Sequence, residues 1–171
     1  MYIYDELTHK IAKKAADVLI GKILAASTVS TTTAVGVPAV TEATIGVGSV
    51  AKAMAQLSDE ASNPVVIMNK ATWGDFKAAQ YAASFAADPF EGLPVVFNNT
   101  IKSFTAASTN DAYAIVGDLG NGALANFPNG EGIKFTFDDV TLATSDMVKI
   151  IGREFVALDI VAPNAFVKLV K

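Results

Sequence analysis

The start of the chain carries a long helical pattern. Between residues 5 and 26, apolar side chains recur mostly every three or four positions, and lysines and Asp17 lie between them. This spacing places the apolar side chains on one side of a helix and therefore predicts a long amphipathic helix. Asp5 or Thr8 is its expected N-cap, because short polar side chains accept hydrogen bonds from the free amides of a first helical turn.

Two different patterns follow this helix. Residues 27–47 are rich in Thr, Val, Ala and Gly and contain Pro38, which favours a loop or an irregular extended segment that crosses between two lobes. Residues 48–61 return to helical spacing, with Ser49 as the expected cap.

A strand followed by a helix is predicted in the middle of the chain. Pro64 precedes the apolar run 65–69, whose length and β-branched content indicate a buried strand. Residues 70–85 then take helical spacing, with Phe76 on the apolar side and Trp73 interpreted as an anchor in the core.

The second half of the chain is mostly β in pattern. Short β-branched runs between turn signals predict strands at 92–99 and 112–120. Residues 133–138 alternate between apolar and polar, as an antiparallel strand with one solvated face does. The remaining interpretations are a surface loop at 117–132, a long strand or strand pair at 147–161, and a final short strand at 165–171.

The composition limits what this chain can do. Its 171 residues are 51% hydrophobic and 18% charged, which is typical of a folded domain rather than a disordered one. The net charge is −4, the isoelectric point is about 4.9, and no basic run is present. A protein built to grip nucleic-acid phosphates needs clustered positive charge, so we predict no sequence-specific nucleic-acid partner.

Few side chains suited to catalysis or metal binding are available. The chain has no cysteine and a single histidine, His9. A disulfide framework and a thiolate site are therefore excluded, and neither a zinc site nor a Ser-His-Asp triad is expected. We predict no catalytic, cofactor-binding or metal-binding residues.

A membrane anchor is also not expected. The apolar stretch at residues 15–29 contains Asp17 and Lys22, and it falls short of the roughly 20 uninterrupted apolar residues that a membrane span needs. The first residues lack the positive start and the apolar core of a signal peptide, which indicates a protein made and kept in the cytoplasm.

Two short motifs suggest ligand sites but match them poorly. Residues 46–51 have the G-x-G-x-x-A form of a dinucleotide fingerprint, yet polar residues interrupt the segment before them, and the next strand ends in Asn69 instead of an acidic residue. The segment 117–132 is rich in Asp, Asn and Glu. Counted from Asp118, however, its twelfth residue is Asn129 instead of the bidentate Glu of an EF-hand.

The order of these patterns resembles the C-terminal part of a tailed-bacteriophage major capsid protein with the Hong Kong 97-type fold. The resemblance covers almost the whole chain. The stretches that carry it are the long helix at 5–26, similar to the family's spine helix, then NPVVIMNKATWGDF, FEGLPVVFNN, and YAIVGDLGNG followed by IKFTFDD and VKIIGREFVALDIVAPNAFVKLV.

This resemblance implies an α+β fold with two lobes. The axial lobe, a mixed sheet with flanking helices, would comprise residues 31–127 and 162–171. The peripheral lobe, the spine helix with antiparallel strands, would comprise residues 1–30 and 128–161. The implied function is a structural subunit of a phage or prophage icosahedral capsid, without enzyme activity or cofactor, made in the bacterial host cytoplasm and located in the virion.

The implied partners are copies of the same chain, in the pentamers and hexamers of a shell, and other capsid or portal proteins. We expect contacts in the glycine-rich segment 36–48 and in the loop at 117–131, because exposed loops are where recognition usually occurs. The loop residues expected to make these contacts are Gly117, Asp118, Asn121, Asn126, Phe127, Asn129 and Glu131.

One departure from the family concerns the N-terminus. Family members carry an N-terminal arm and an extended hairpin before the spine helix, and neither fits ahead of residue 5. We therefore expect a truncated form. We also expect no covalent crosslinking, because the hairpin is missing and no Asn lies between residues 131 and 163.

Two other functions stay open at this point. One is a small α/β nucleotide-binding module or enzyme that uses the Gly46–Gly48 loop. The other is an encapsulin-like compartment shell protein, which shares the implied fold.

Overall fold

A computed structural model describes residues 2–29, 36–85, 87–128, 132–141 and 148–171, and this part of the chain contains both helices and strands. The helices are α1 (Tyr2–Ala25), α2 (Ser49–Met54), α3 (Lys70–Ala82) and α4 (Leu119–Gly122). The strands are β1 (Thr28–Val29), β2 (Val37–Thr41), β3 (Val65–Met68), β4 (Val95–Phe97), β5 (Ala112–Gly117), β6 (Ala123–Asn126), β7 (Lys134–Asp138), β8 (Lys149–Arg153), β9 (Ala157–Ile160) and β10 (Phe166–Val170). A 3-10 turn at Pro163–Ala165 precedes β10.

Six of these strands form one mixed sheet in the order β1-β2-β10-β5-β3-β4. Strand β10 is parallel to β2 and antiparallel to β5, and β3 is parallel to β4 and antiparallel to β5. Two antiparallel pairs, β6 with β9 and β7 with β8, lie outside this sheet. The predicted α+β class is confirmed.

Both faces of the six-stranded sheet are buried. Because successive side chains of a strand point to opposite faces, Val66 and Met68 enter one core while Ile67, between them, enters the other. The first core lies under α2 and α3, and the second lies under the C-terminal end of α1 through Ile20 and Ile23. The C-terminal part of the long helix thus packs on the sheet.

The rest of α1 packs on the small strand pairs. Tyr4 lies edge-on against Phe135 of β7, with ring centroids 5.0 Å apart. At Gly152 of β8, a Cβ atom would lie 2.9 Å from the Cδ1 atom of Ile11, so strand and helix approach closely. The long helix is confirmed, but the expectation of an N-cap at Asp5 or Thr8 is wrong, because the helix begins at Tyr2 and contains both residues.

Two expectations for the segment after α1 are wrong. Residues 37–41 form the buried strand β2, not an irregular loop, because they pair with β10. Ser49 does not cap α2: Gly48 occupies the N-cap position without a side-chain hydrogen bond, and the Ser49 hydroxyl instead accepts from the Gly46 amide at 3.0 Å.

The strand-helix unit at residues 65–82 is confirmed, but its tryptophan is not in the core. Thr72 and Phe76 of α3 are buried, whereas Trp73 is 39% exposed. The buried threonine keeps a hydrogen bond, because its hydroxyl accepts from the Phe104 amide at 3.0 Å. Asn69 caps this helix by accepting from the Ala71 amide.

The predicted strands of the second half are present. The run 147–161 contains two strands, β8 and β9, which belong to different sheets, and the alternating segment forms β7. The prediction of a loop at 117–132 is wrong as far as residue 126, because α4 and β6 occupy it. The terminal strand β10 is confirmed, and its five residues are all buried.

Candidate assembly surfaces

The turn from β5 into α4 contains the first two predicted contact residues, and both are interior. A Cβ atom at Gly117 would lie 2.5 Å from the Cδ1 atom of Phe166 and 2.6 Å from the carbonyl oxygen of Ala165. At Gly122 a Cβ atom would lie 2.6 Å from the Cζ atom of the same ring. These glycines allow the fully buried Phe166 to pack on the turn, which leaves Gly117 no surface for a neighbour.

Asp118 is buried as well, with 3% of its surface exposed. Its carboxylate accepts hydrogen bonds from the backbone amides of Asn63 at 3.0 Å and Gly120 at 2.9 Å, and from the side chain of Asn121 at 2.9 Å. These donors, the Asn63 amide first, hold the pKa of Asp118 below its usual value. The residue therefore caps α4 and fastens the segment before β3 to the end of β5.

Three other predicted contact residues lie at the surface. Asn121 is exposed, and its side-chain amide donates to the Glu60 carbonyl at 3.0 Å and to the Ser62 hydroxyl at 3.1 Å. Asn126 ends β6 opposite Ala157, and Phe127 is 47% exposed. The last two predicted residues, Asn129 and Glu131, lie outside the described residues.

The glycine-rich segment 36–48 divides into a buried and an accessible part. Its first half is β2, which lies inside the six-stranded sheet. After β2, Glu42 accepts hydrogen bonds from the Ser49 hydroxyl and from the Lys52 ammonium group. Burial and the negative charge of Glu42 raise the pKa of Tyr113, which lies beneath this turn.

This geometry bears directly on nucleotide binding. The order of strand, glycine turn and helix is real here, since β2 precedes Gly46 and α2 follows it. However, α2 has only six residues, and the Glu42 carboxylate accepts a hydrogen bond from Ser49, the first residue of α2. Because like charges repel, the loop is unsuited to a pyrophosphate.

Exposed apolar side chains, most of them aromatic, lie along α3, just after it, and on the edge strand β4. We call this area the α3–β4 surface; its members are Trp73, Tyr81, Phe85, Val96 and Phe97. The ring of Trp73 meets that of Phe97 edge-on at 6.4 Å, and Tyr81 meets Phe85 at 4.7 Å. The Lys70 ammonium group lies 5.7 Å from the centre of the Phe97 ring.

The backbone also holds one of these rings outward. Ser84 and Phe85 both have positive φ angles, 56° and 59°, which side-chain-bearing residues rarely adopt. Phe85 remains 62% exposed in this conformation. Sequence reasoning missed this surface, although residues 73, 77 and 81 recur every four positions along α3, beside the buried face that carries Phe76.

A groove of about 790 Å³ lies between α1, β6 and the connection from β8 to β9. Apolar side chains of Ile11, Val18, Leu124 and Phe155 line it. Phe155 is 68% exposed and Leu124 is 55% exposed, so this groove is a second apolar area open to solvent.

The described residues offer little for metal or membrane chemistry. Within the described ranges, no group of three His, Cys, Asp or Glu side chains is placed to hold a metal ion. His9 is exposed on α1. In the same part of the chain, the helices are too short or too polar to cross a bilayer.

Comparison with known proteins places the chain in a family. A family model described as the phage capsid family matches residues 2–171. The chain belongs to the phage capsid family. Among curated proteins, none matches the sequence significantly.

Solved structures share this phage capsid fold. The capsid of an empty GTA particle, computed with C5 symmetry, is similar with a TM-score of 0.76 and 19% identity, covering 99% of this chain and 65% of that one. The capsid of the native GTA particle gives a TM-score of 0.74 and 17% identity, covering 99% and 64%. Identities this low establish the fold alone, and this chain spans about 65% of the length of those capsid chains.

A weaker likeness is to a compartment protein. The holo-SrpI encapsulin complex from Synechococcus elongatus PCC 7942 matches with a TM-score of 0.51 and 10% identity. That match covers 77% of this chain and 52% of the encapsulin chain.

Proposed function

We propose that this protein is a structural subunit of a phage or prophage capsid that assembles with copies of itself into a shell. The observation that carries the proposal is the phage capsid family match over residues 2–171, joined to a fold shared with GTA capsid chains over 99% of this chain. Its role is mechanical rather than catalytic, and its place is the virion.

We propose that the two lobes divide as the family resemblance implies. Residues 31–127 and 162–171 form the axial lobe, which contains five strands of the six-stranded sheet, and residues 1–30 and 128–161 form the peripheral lobe, which contributes β1 to that sheet. The ladder between β6 and β9 then joins the two lobes, because β6 precedes the boundary and β9 follows it.

The assembly contacts are proposed to lie on exposed parts of the axial lobe. Asn121, Asn126 and Phe127 remain candidates, and the α3–β4 surface joins them because soluble monomers rarely expose aromatic side chains in a cluster. Rings need two different surfaces that meet head to tail, and many weak contacts of this kind can add up to a stable shell.

A compartment shell is the second candidate. The encapsulin likeness favours it specifically, but with a lower TM-score and a smaller covered share than the GTA capsids. Nucleotide binding is the weakest alternative, because it would depend on the glycine turn, and the negative charge of Glu42 lies beside that turn, bonded to Ser49.

Sedimentation velocity over a wide concentration range, followed by negative-stain microscopy of fast-sedimenting material, tests the proposal. Rings of five or six, tubes or shells are the expected products. A strict monomer at every concentration, together with saturable thermal stabilisation by a nucleotide, would instead support the ligand-binding alternative.

A further inference from the structure

A buried lysine lies in the middle of the six-stranded sheet. Lys168 is the third of the five residues of β10, where it faces Ala39 of β2 and Ile115 of β5. Only 2% of its surface is exposed. A lysine is almost never buried unless its ammonium group finds partners, because removing the charge from water is costly.

The partners of this ammonium group are at the end of α1. The Nζ atom donates to the carbonyl oxygens of Leu24 at 2.9 Å and Ala26 at 2.7 Å, and it lies 3.4 Å from the Thr28 hydroxyl. The last carbonyl groups of a helix have no amide partner within the helix, and they form the negative end of its dipole. Strand β10, through the ammonium group of Lys168, thus caps the C-terminal end of α1.

Among the described residues, no carboxylate forms an ion pair with Lys168. The ion pairs found among the described residues involve other lysines. Burial lowers the pKa of Lys168, which fits an ammonium group whose charge is balanced by carbonyl dipoles and not by an anion.

A second polar contact joins the same helix to the same sheet. The side chain of Asn98, just after β4, donates to the Asp17 carboxylate at 2.7 Å. Asn98 is itself fixed, because its backbone amide donates to the Met68 carbonyl at 2.9 Å and its side-chain oxygen accepts from the backbone amide of Thr100 at 2.7 Å. The two contacts lie about two helical turns apart along α1.

We propose that Lys168, together with the Asp17–Asn98 hydrogen bond, is a positioning device that fixes the direction of α1 relative to the six-stranded sheet. One contact would let the helix pivot, whereas two contacts at different heights define its direction. Hydrophobic packing of Ile20 and Ile23 alone is less directional, because apolar contacts lack preferred angles.

The consequence for shells rests on the proposed function. Strands β8 and β9 of the small strand pairs pack against α1. The direction of this helix therefore sets where the surfaces of those pairs meet a neighbouring subunit. A subunit with a loose helix would then still fold but would form irregular shells.

The experiment measures the helix direction itself. Because the chain has no cysteine, Lys13→Cys on α1 and Thr109→Cys before β5, both at exposed positions, can be spin-labelled selectively. Pulsed electron resonance on labelled chain diluted in unlabelled chain then gives the distances within one subunit. A single narrow distribution is expected for the parent.

Lys168→Met removes the charge and keeps the length of the side chain. We expect a broadened or shifted distance distribution with a retained near-ultraviolet circular dichroism spectrum, and exchange of the amides after Ala25 about tenfold faster or more. Lys171→Met is the matched control, since the Lys171 ammonium group also donates to a carbonyl, but to that of Phe104 instead of one at the end of α1. Its distribution should equal that of the parent.

An unchanged distribution in folded Lys168→Met would overturn the proposal. If that variant does not fold, hydrogen exchange of the backbone amides in the parent tests the proposal instead. The amides of residues 22–28 are then expected to exchange only through global unfolding, and exchange through local opening there would contradict a fixed contact between α1 and the sheet. Asp17→Ala should broaden the distribution of spin-label distances whether or not Lys168→Met folds. These readouts do not need assembly, so a failure of the shell proposal is distinguishable from a failure of this one.

Discussion

The ring of Phe166 lies so close to the backbone of Gly117 that a Cβ atom there would be 2.5 Å from its Cδ1 atom. The first residue of the terminal strand therefore depends on a glycine at the end of β5, and the close approach allows β10 to enter the sheet between β2 and β5.

Gly117→Ala should destabilise the fold. The added methyl group has backbone and ring atoms in its way, and overpacking of this kind costs about 1–3 kcal/mol of unfolding free energy. Urea unfolding measures the change. An unaltered midpoint would mean that β10 can shift away without cost.

Gly74→Ala should act in the opposite direction. Gly74 lies inside α3 on its exposed side, and a Cβ atom there would have no neighbour within 4 Å. Alanine is favoured over glycine in a helix interior by about 0.8–1.0 kcal/mol, so the free energy of unfolding should rise by that order. The same urea experiment serves, and a loss of stability would contradict the helix as described.

Asp118 should make the stability depend on pH. Its pKa is lower in the folded chain than in the unfolded one, chiefly because the Asn63 amide donates to it. The carboxylate therefore contributes stability that is fully present above its unfolded pKa of about 3.9 and is lost as the pH falls through the folded pKa.

Asp118→Asn tests this dependence. The variant should be less stable at pH 7, because the carboxamide cannot accept all the hydrogen bonds that the carboxylate accepts. Its stability should also fall less steeply than that of the parent on acidification. Asp139→Asn, at an exposed position after β7, is the control and should follow the parent curve. Equal acid sensitivity of parent and Asp118→Asn would refute the assignment.

Tyr81→Lys should impair assembly without impairing the fold. Tyr81 is 62% exposed on the α3–β4 surface, and a central aromatic contact of an interface is commonly worth about 2 kcal/mol or more. Its loss corresponds to a rise of about thirtyfold or more in the concentration needed for assembly. Light scattering against protein concentration measures it.

Val140→Lys is the control for this surface. Val140 is 80% exposed, but it lies after β7, away from α3. Its assembly curve should match that of the parent. If both variants assemble normally, the α3–β4 surface is not a contact between subunits.

Patterns with a short period were read correctly from the sequence. The spacing of three and four residues located α1 and α3, and strict alternation located β7, because these periods follow from the backbone geometry of one element alone. The same local rules identified β3, β5 and β10, whose β-branched runs are bounded by turn residues.

Features that depend on a partner far along the chain were not predicted correctly from the sequence. Residues 37–41 have the composition of a loop, and they are a strand because β10, far along the chain, pairs with them. Trp73 was expected in the core because it is large and apolar, but the sheet faces the side of α3 that carries Thr72 and Phe76. Gly117 and Asp118 were expected at the surface. Neither residue type reveals that the Phe166 ring packs on Gly117 or that the Asn63 amide donates to Asp118.

The sequence by itself determined the long first helix and the absence of cysteine chemistry, because these follow from local periodicity and from composition, and the order of its patterns implied the α+β class through the family resemblance. The tertiary structure alone decided which glycines are interior, which aromatic side chains face solvent, and that Lys168 caps α1. The physical reason is that burial and hydrogen-bond partners are set by contacts between segments far apart in the chain, and no local pattern encodes those contacts.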